Sequence, residues 1–215
     1  GYDAFTAVGI SLAIDIFASA ITAYIFYKHD NLNIKPAIII LVFAVIGAYV
    51  GSYFSASFPT GLLSKVIGFF TILTGLNIMK NGLRLKIKPI ERALKKNGPL
   101  FKAFLLMLAG IIVGLIAGIF GSGGGVSLLL ILVFILGYRI HPAIGTSVFI
   151  MTFIAISGTI GHIQYGSFLV YPFIIAAIGG IFGAAFSAKV SNLTSELKLQ
   201  KIVGFTFFGL GLFLF

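Results

Sequence analysis

Apolar residues in this chain run in blocks of about twenty, the length a helix needs to cross a hydrocarbon core of about 30 Å. The pattern predicts membrane-length helices over residues 4–27, 36–57, 61–79, 101–120, 142–163, 168–188 and 199–215. An eighth apolar stretch, 126–138, has only 13 residues, about 20 Å of helix, and is too short to cross alone. It follows the run Gly121-Ser122-Gly123-Gly124-Gly125, which predicts a break. Pro36 and Pro142 stand at block starts, where a missing N–H costs nothing. So many blocks exceed what a signal peptide would explain. The predicted fold class is an all-α polytopic membrane protein.

Composition narrows the function classes. Only 9% of the 215 residues are charged, against about 25% in an average soluble domain, while 59% are hydrophobic. So few charges could not cover a globular surface, which excludes a soluble enzyme or a nucleic-acid binder. The partners implied are the lipid bilayer and a small solute, with no nucleic acid. The formal net charge of +10 has a local origin, because 8 of the 15 basic residues lie between Lys80 and Lys102, as in a cytoplasmic loop. There is no cysteine, so disulfides and thiol chemistry are absent, and no tryptophan, so Tyr and Phe must supply any interfacial belt. HExxH, GxSxG and Walker patterns are missing, and no cofactor or metal site is implied.

An internal repeat runs without gaps at an offset of 136. Gly1-Tyr2 matches Gly137-Tyr138; Ala7, Gly9 and Ser11 match Ala143, Gly145 and Ser147; Pro36 matches Pro172. Gly47-Ala48 matches Gly183-Ala184, and Lys65, Gly68-Phe69 and Gly75 match Lys201, Gly204-Phe205 and Gly211. The organisation expected is a first transmembrane repeat over 1–79, a basic cytoplasmic loop over 80–100 and a second repeat over 101–215. The second copy also contains 101–136, so roughly 36 residues are expected upstream of Gly1. If every block crosses, including 126–138, 14 basic residues fall on the side of the basic loop and Lys65 alone on the other. If 126–138 is re-entrant the division is 10 against 5, so the positive-inside bias favours full crossing. That puts five crossings between matching segments and makes the two homologous halves inverted-topology repeats, a hallmark of secondary transporters.

Several residues carry candidate chemistry. The glycine-rich run reads either as a kink for close packing or as a broken helix whose N–H groups at Gly123, Gly124 and Gly125 face an anion, with Ser127 beside them. Gly145-Thr146-Ser147 and its counterpart Gly9-Ile10-Ser11 place small hydroxyl residues in first turns, suited to backbone capping or to ligand contact. Ser11, Asp15, Ser19 and Thr22 share one helix face. Asp15 is either a structural aspartate or a proton or cation coupling site, since an acid at this depth costs at least about 2.5–3.5 kcal/mol. Its counterpart in the second copy is Met151. His162 and Gln164, at the end of their block, meet headgroups and water or take part in anion or proton handling. The small-residue faces Gly110/Gly114/Gly118, Gly47/Gly51 and Gly179/Gly183 are packing surfaces.

Gly121-Ser122-Gly123-Gly124-Gly125, His141-Pro142-Ala143-Ile144-Gly145-Thr146-Ser147 and Gly161-His162-Ile163-Gln164-Tyr165-Gly166 together resemble the sulfite exporter TauE/SafE family. The resemblance spans the chain and is strongest from Gly110 to Gly183. Gly9-Ile10-Ser11 replaces the family's G-T-S in the first half, and Val126-Ser127-Leu128-Leu129 lacks the proline that often follows GxGGG. What the resemblance implies is a prokaryotic inner-membrane permease for sulfite, sulfonates or related small anions, coupled to protons or to the membrane potential. A non-transporting membrane scaffold and a passive anion channel are the rival readings.

Overall fold

The computed structural model describes residues 4–55, 69, 72–73, 75–76, 79, 88–121, 124–165 and 169–214. The helices are α1 (Ala4–Lys28), α2 (Ile38–Ser55), α3 (Lys88–Phe120), α4 (Gly124–Phe134), α5 (Ile140–Tyr165), α6 (Val170–Leu193) and α7 (Glu196–Leu214). A 3-10 turn, Lys35–Ala37, leads into α2 with Pro36 in its first positions. There is no strand among the described residues. Among the described residues five helices are long and apolar enough to cross a membrane: α1, α2 with its 3-10 turn, the Gly98–Phe120 part of α3, α5 and α6. Most of the predicted span 61–79, and residues 80–87 of the basic loop, lie outside the described residues. Helix already begins at Lys88, inside the stretch expected as loop, and Gly98 (φ +75) interrupts it before Pro99. Proline clashes with a preceding helical turn, so the membrane-length helix starts afresh there.

Contacts fix the direction of each helix. Gly110, Gly114 and Gly118 of α3 lie against Ile40, Ala44 and Ala48 of α2 in the same order, so these two helices run parallel. Along α1, Gly9, Leu12, Ser19 and Phe26 meet His162, Gly158, Thr152 and Gly145 of α5, so this pair is antiparallel. At one end Asn31 Nδ2 donates to Asn192 Oδ1 (2.9 Å) and Tyr138 Oη donates to the Asn33 carbonyl (2.7 Å). Lys28, Lys35, Arg139 and Lys189 all lie within a few residues of those bonds, and this is the basic end. At the opposite end Ser55 Oγ donates to Ile119 O (2.9 Å), and Gly161 packs on Ser52. Between Gly121, beside Val8, and Tyr138, beside Asn33, α4 carries the chain from the opposite end back to the basic end. Its 11 residues account for about 16 Å of that path.

Helix α5 is the centre of the bundle. Of its most apolar stretch 61% is buried, against 11% of that of α6, whose Tyr171, Phe182 and Phe186 stand outward. The shared core joins Ile40, Ala44 and Ala48 of α2, Val113 and Ala117 of α3, Leu128 and Leu132 of α4, and Ile150 and Ile154 of α5. Lipid tails are as apolar as this core, so close packing rather than the hydrophobic effect must hold helix to helix. The glycines of α2 and α3 make that possible. A Cβ on Gly110 would lie 2.8 Å from Ile40 O, and one on Gly47 2.5 Å from Ile111 O. Exposed tyrosines mark both rims, with Tyr24 and Tyr27 near the basic end and Tyr49, Tyr53 and Tyr171 near the other. They take the place tryptophan usually holds at a membrane interface.

Candidate functional site

The polar groups of the bundle gather at two levels. At the end opposite the basic residues, α3 stops at Phe120 and Gly121 turns the chain with φ +67, its amide donating to Ala117 O (2.9 Å). A side chain there would collide with Val8, so glycine is needed both for the left-handed turn and for the close approach. Ser11 Oγ donates to the Gly121 carbonyl (3.3 Å). Ser122 and Gly123 lie outside the described residues. Gly124 opens α4, and a Cβ on Gly125 would meet nothing within 4 Å. The first amides of α4 have no acceptor within their own helix, which is the general condition of a helix start. Ser127, half-buried in the same turn, has a partner of its own.

Two residues before Ser11, Gly9 is buried against His162, and a Cβ on it would lie 3.1 Å from the His162 Cβ. His162 is 3% exposed and stacks on Phe5, with ring centroids 4.5 Å apart. Its Nδ1 lies 3.0 Å from Gly158 O. A carbonyl can only accept, so Nδ1 carries the hydrogen and the neutral ring presents a bare lone pair at Nε2. Among the described residues that buried Nε2 has no partner, and neither has the hydroxyl of Thr159, one helical turn earlier on α5. Sequence reasoning reached His162 but missed Thr159, because a threonine in an apolar helix normally bonds the preceding turn, as Thr22 and Thr152 do here. Gln164 is exposed at the rim, its Oε1 accepting from Tyr49 Oη (2.6 Å).

Gly145, Thr146 and Ser147 sit at the basic end, and the structure does not bring them to Gly9 and Ser11. Gly145 and His162 are 17 residues apart on one helix, about 26 Å. Thr146 is fully buried; its Oγ1 accepts from the Asn33 amide (3.0 Å) and donates to the Asn33 carbonyl (3.3 Å). Tyr138 Oη shares that carbonyl, and burial pushes its phenol up to about 12, so it remains a donor at neutral pH. Ser147 Oγ turns back to Ile144 O (2.9 Å), and Gly145 lets the Asn31 carbonyl reach the helix backbone. These groups therefore pin the loop between α1 and α2. Thr146→Val would leave the Asn33 amide unpaired and should cost about 1–3 kcal/mol of stability, read as a lower melting temperature in detergent.

Asp15 lies between these levels, half-buried, with no partner for its carboxylate among the described residues. On its face Ser19 bonds the Asp15 carbonyl and meets Thr152 Oγ1 at 2.9 Å. A groove of about 400 Å³ between α1 and α5, lined by Tyr24, Tyr27, Phe149 and Phe153, is almost wholly apolar and gives an anion nothing to bind. No group of three His, Cys, Asp or Glu gathers as metal ligands among the described residues.

Residues 2–214 match the family model described as sulfite exporter TauE/SafE. The chain belongs to this family. Similar proteins include two from Bacillus subtilis, probable membrane transporter protein YdhB (29% identical, covering 94% of this chain and 80% of that protein) and probable membrane transporter protein YunE (26%, covering 92% and 77%). A probable membrane transporter protein of Methanocaldococcus jannaschii is 26% identical over 97% of this chain and 78% of its own length. No solved structure matches. A TauE/SafE protein with five membrane-length helices among its described residues is a multi-pass membrane transporter.

Proposed function

We propose that this TauE/SafE protein is a secondary transporter for a small anion such as sulfite or a sulfonate, working by alternating access between two inverted repeats in a prokaryotic inner membrane. One observation carries the reading. Adding 136 to Gly9 gives Gly145, and subtracting 136 from His162 gives Phe26. Gly9 packs on His162, and Gly145 packs on Phe26. The two contacts thus exchange under the repeat, as they must if matching antiparallel helices are related by a two-fold axis in the membrane plane. The shared position of Lys28, Lys35, Arg139 and Lys189 supports a cytoplasmic basic end.

In this reading the anion meets Gly123, Gly124, Gly125 and Ser127 at the start of α4, with Gly9, Ser11, His162 and Gln164 around it. Fixed amides suit a transported anion, because a helix start offers roughly half an elementary charge rather than the grip of a buried lysine. Contact with Gly145, Thr146 and Ser147 requires their bonds to Asn33 and Ile144 to open, and belongs to the other state of the cycle. Asp15 is the coupling acid. Counterflow in proteoliposomes tests the proposal: labelled sulfite should exchange against unlabelled sulfite. A scaffold would give no flux, and a channel no counterflow. Asp15→Asn should retain exchange and lose pH-driven accumulation; unchanged accumulation would return Asp15 to a structural role.

A further inference from the structure

We infer that Thr159 and His162 form a specificity notch that selects anions carrying an O–H group. This deepens the transport reading and rests on it. Both side chains are more than nine-tenths buried, and each has a polar atom without a partner among the described residues, Thr159 Oγ1 and His162 Nε2. They lie three residues apart on α5, hence on the same side of the helix. An orphaned buried polar group costs about 1–3 kcal/mol, so two neighbouring ones favour a ligand that can bond both.

The chemistry of the pair specifies the visitor. The Nδ1 hydrogen of His162 is committed to Gly158 O, so Nε2 of the neutral ring can only accept. Thr159 Oγ1 can donate. A ligand that satisfies both must offer a hydrogen to the imidazole, and an oxygen beside it can take the threonine hydrogen. A hydrogen-bearing oxyanion such as hydrogen sulfite does this. A sulfonate, which has three bare oxygens, sets a lone pair against a lone pair at Nε2. Gly9 keeps the ring in place, since any side chain there would press on the His162 Cβ at 3.1 Å. Among the described residues the titratable groups on the packed elements are few. On α2, Tyr49 gives its hydroxyl to Gln164; on α1, Asp15 lies six residues beyond Gly9, about 9 Å along the helix.

The rival chemistry is an imidazolium whose Nε2–H would donate to any anion. Binding, read as the rise in melting temperature of the full chain in detergent, separates the two between about pH 5 and pH 8. Sulfite should bind more tightly as the pH falls and its hydrogen-bearing form grows, while methanesulfonate should bind weakly throughout. His162→Phe, which preserves the stack on Phe5, should weaken sulfite binding roughly tenfold or more, and His162→Gln should restore part of it through its amide carbonyl. Thr159→Val should weaken sulfite binding and Thr159→Ser should keep it. The inference is overturned if methanesulfonate binds as well as sulfite at low pH, if His162→Phe binds sulfite unchanged, or if sulfite fails to bind the wild type. Sulfite binding without counterflow would instead defeat the transport reading and leave the notch standing.

Discussion

Gly114→Ala should lower the melting temperature of the protein sharply, and Gly114→Leu should leave no monodisperse protein after extraction. A Cβ at this position falls on the carbonyl oxygen of Ala44, with the Ala44 carbonyl carbon at 2.8 Å and Cα at 2.9 Å. All three atoms are backbone, so no rotamer change can relieve the contact; the whole helix must move. Overpacking a tight core costs about 1–3 kcal/mol, and a helix pair that lacks hydrophobic drive has little else to offset it. Gly179→Ala is the control. It belongs to the same kind of GxxxG pair, yet a Cβ there meets nothing within 4 Å, so it should be close to neutral. Equal effects of the two alanine variants would show that the α2–α3 contact is not what holds the bundle.

Gly125→Leu should have the opposite signature, a folded protein that no longer binds anion. Space is open where its side chain would grow, so the fold has room to accept it. The new side chain would cover the first amides of α4, the donors the anion needs once it has lost its water. Melting without ligand should shift little, while the ligand-dependent rise in melting temperature, which follows RT ln(1 + [L]/Kd), should vanish. If the variant folds and binds sulfite with wild-type affinity, the start of α4 is not the site.

Sequence alone determined the membrane class, the position of most helices, the end of a helix at Phe120 and the residues that repeat. Each follows from a local or periodic signal: apolar runs matched to bilayer thickness, glycine at a left-handed turn, identities at a fixed offset. The proposed two-fold relation calls for contacts in exchanged pairs, and Gly9 with His162 and Phe26 with Gly145 are such a pair of contacts. Local signals failed where partners decide. Both Gly110/Gly114/Gly118 and Gly179/Gly183 read as packing faces, but only the first has a helix lying in it among the described residues, since a groove does not encode what fills it. Thr146 and Ser11 occupy similar positions about two turns into α5 and α1, yet Thr146 is tied to Asn33 and Ser11 to Gly121. Helix starts that look equivalent in sequence lie about 26 Å apart because antiparallel packing sends them to opposite ends of α5. Thr159 was invisible for the same reason. Whether a hydroxyl in an apolar helix bonds its own backbone or is left without a partner depends on its rotamer and its neighbours, and only tertiary packing sets those.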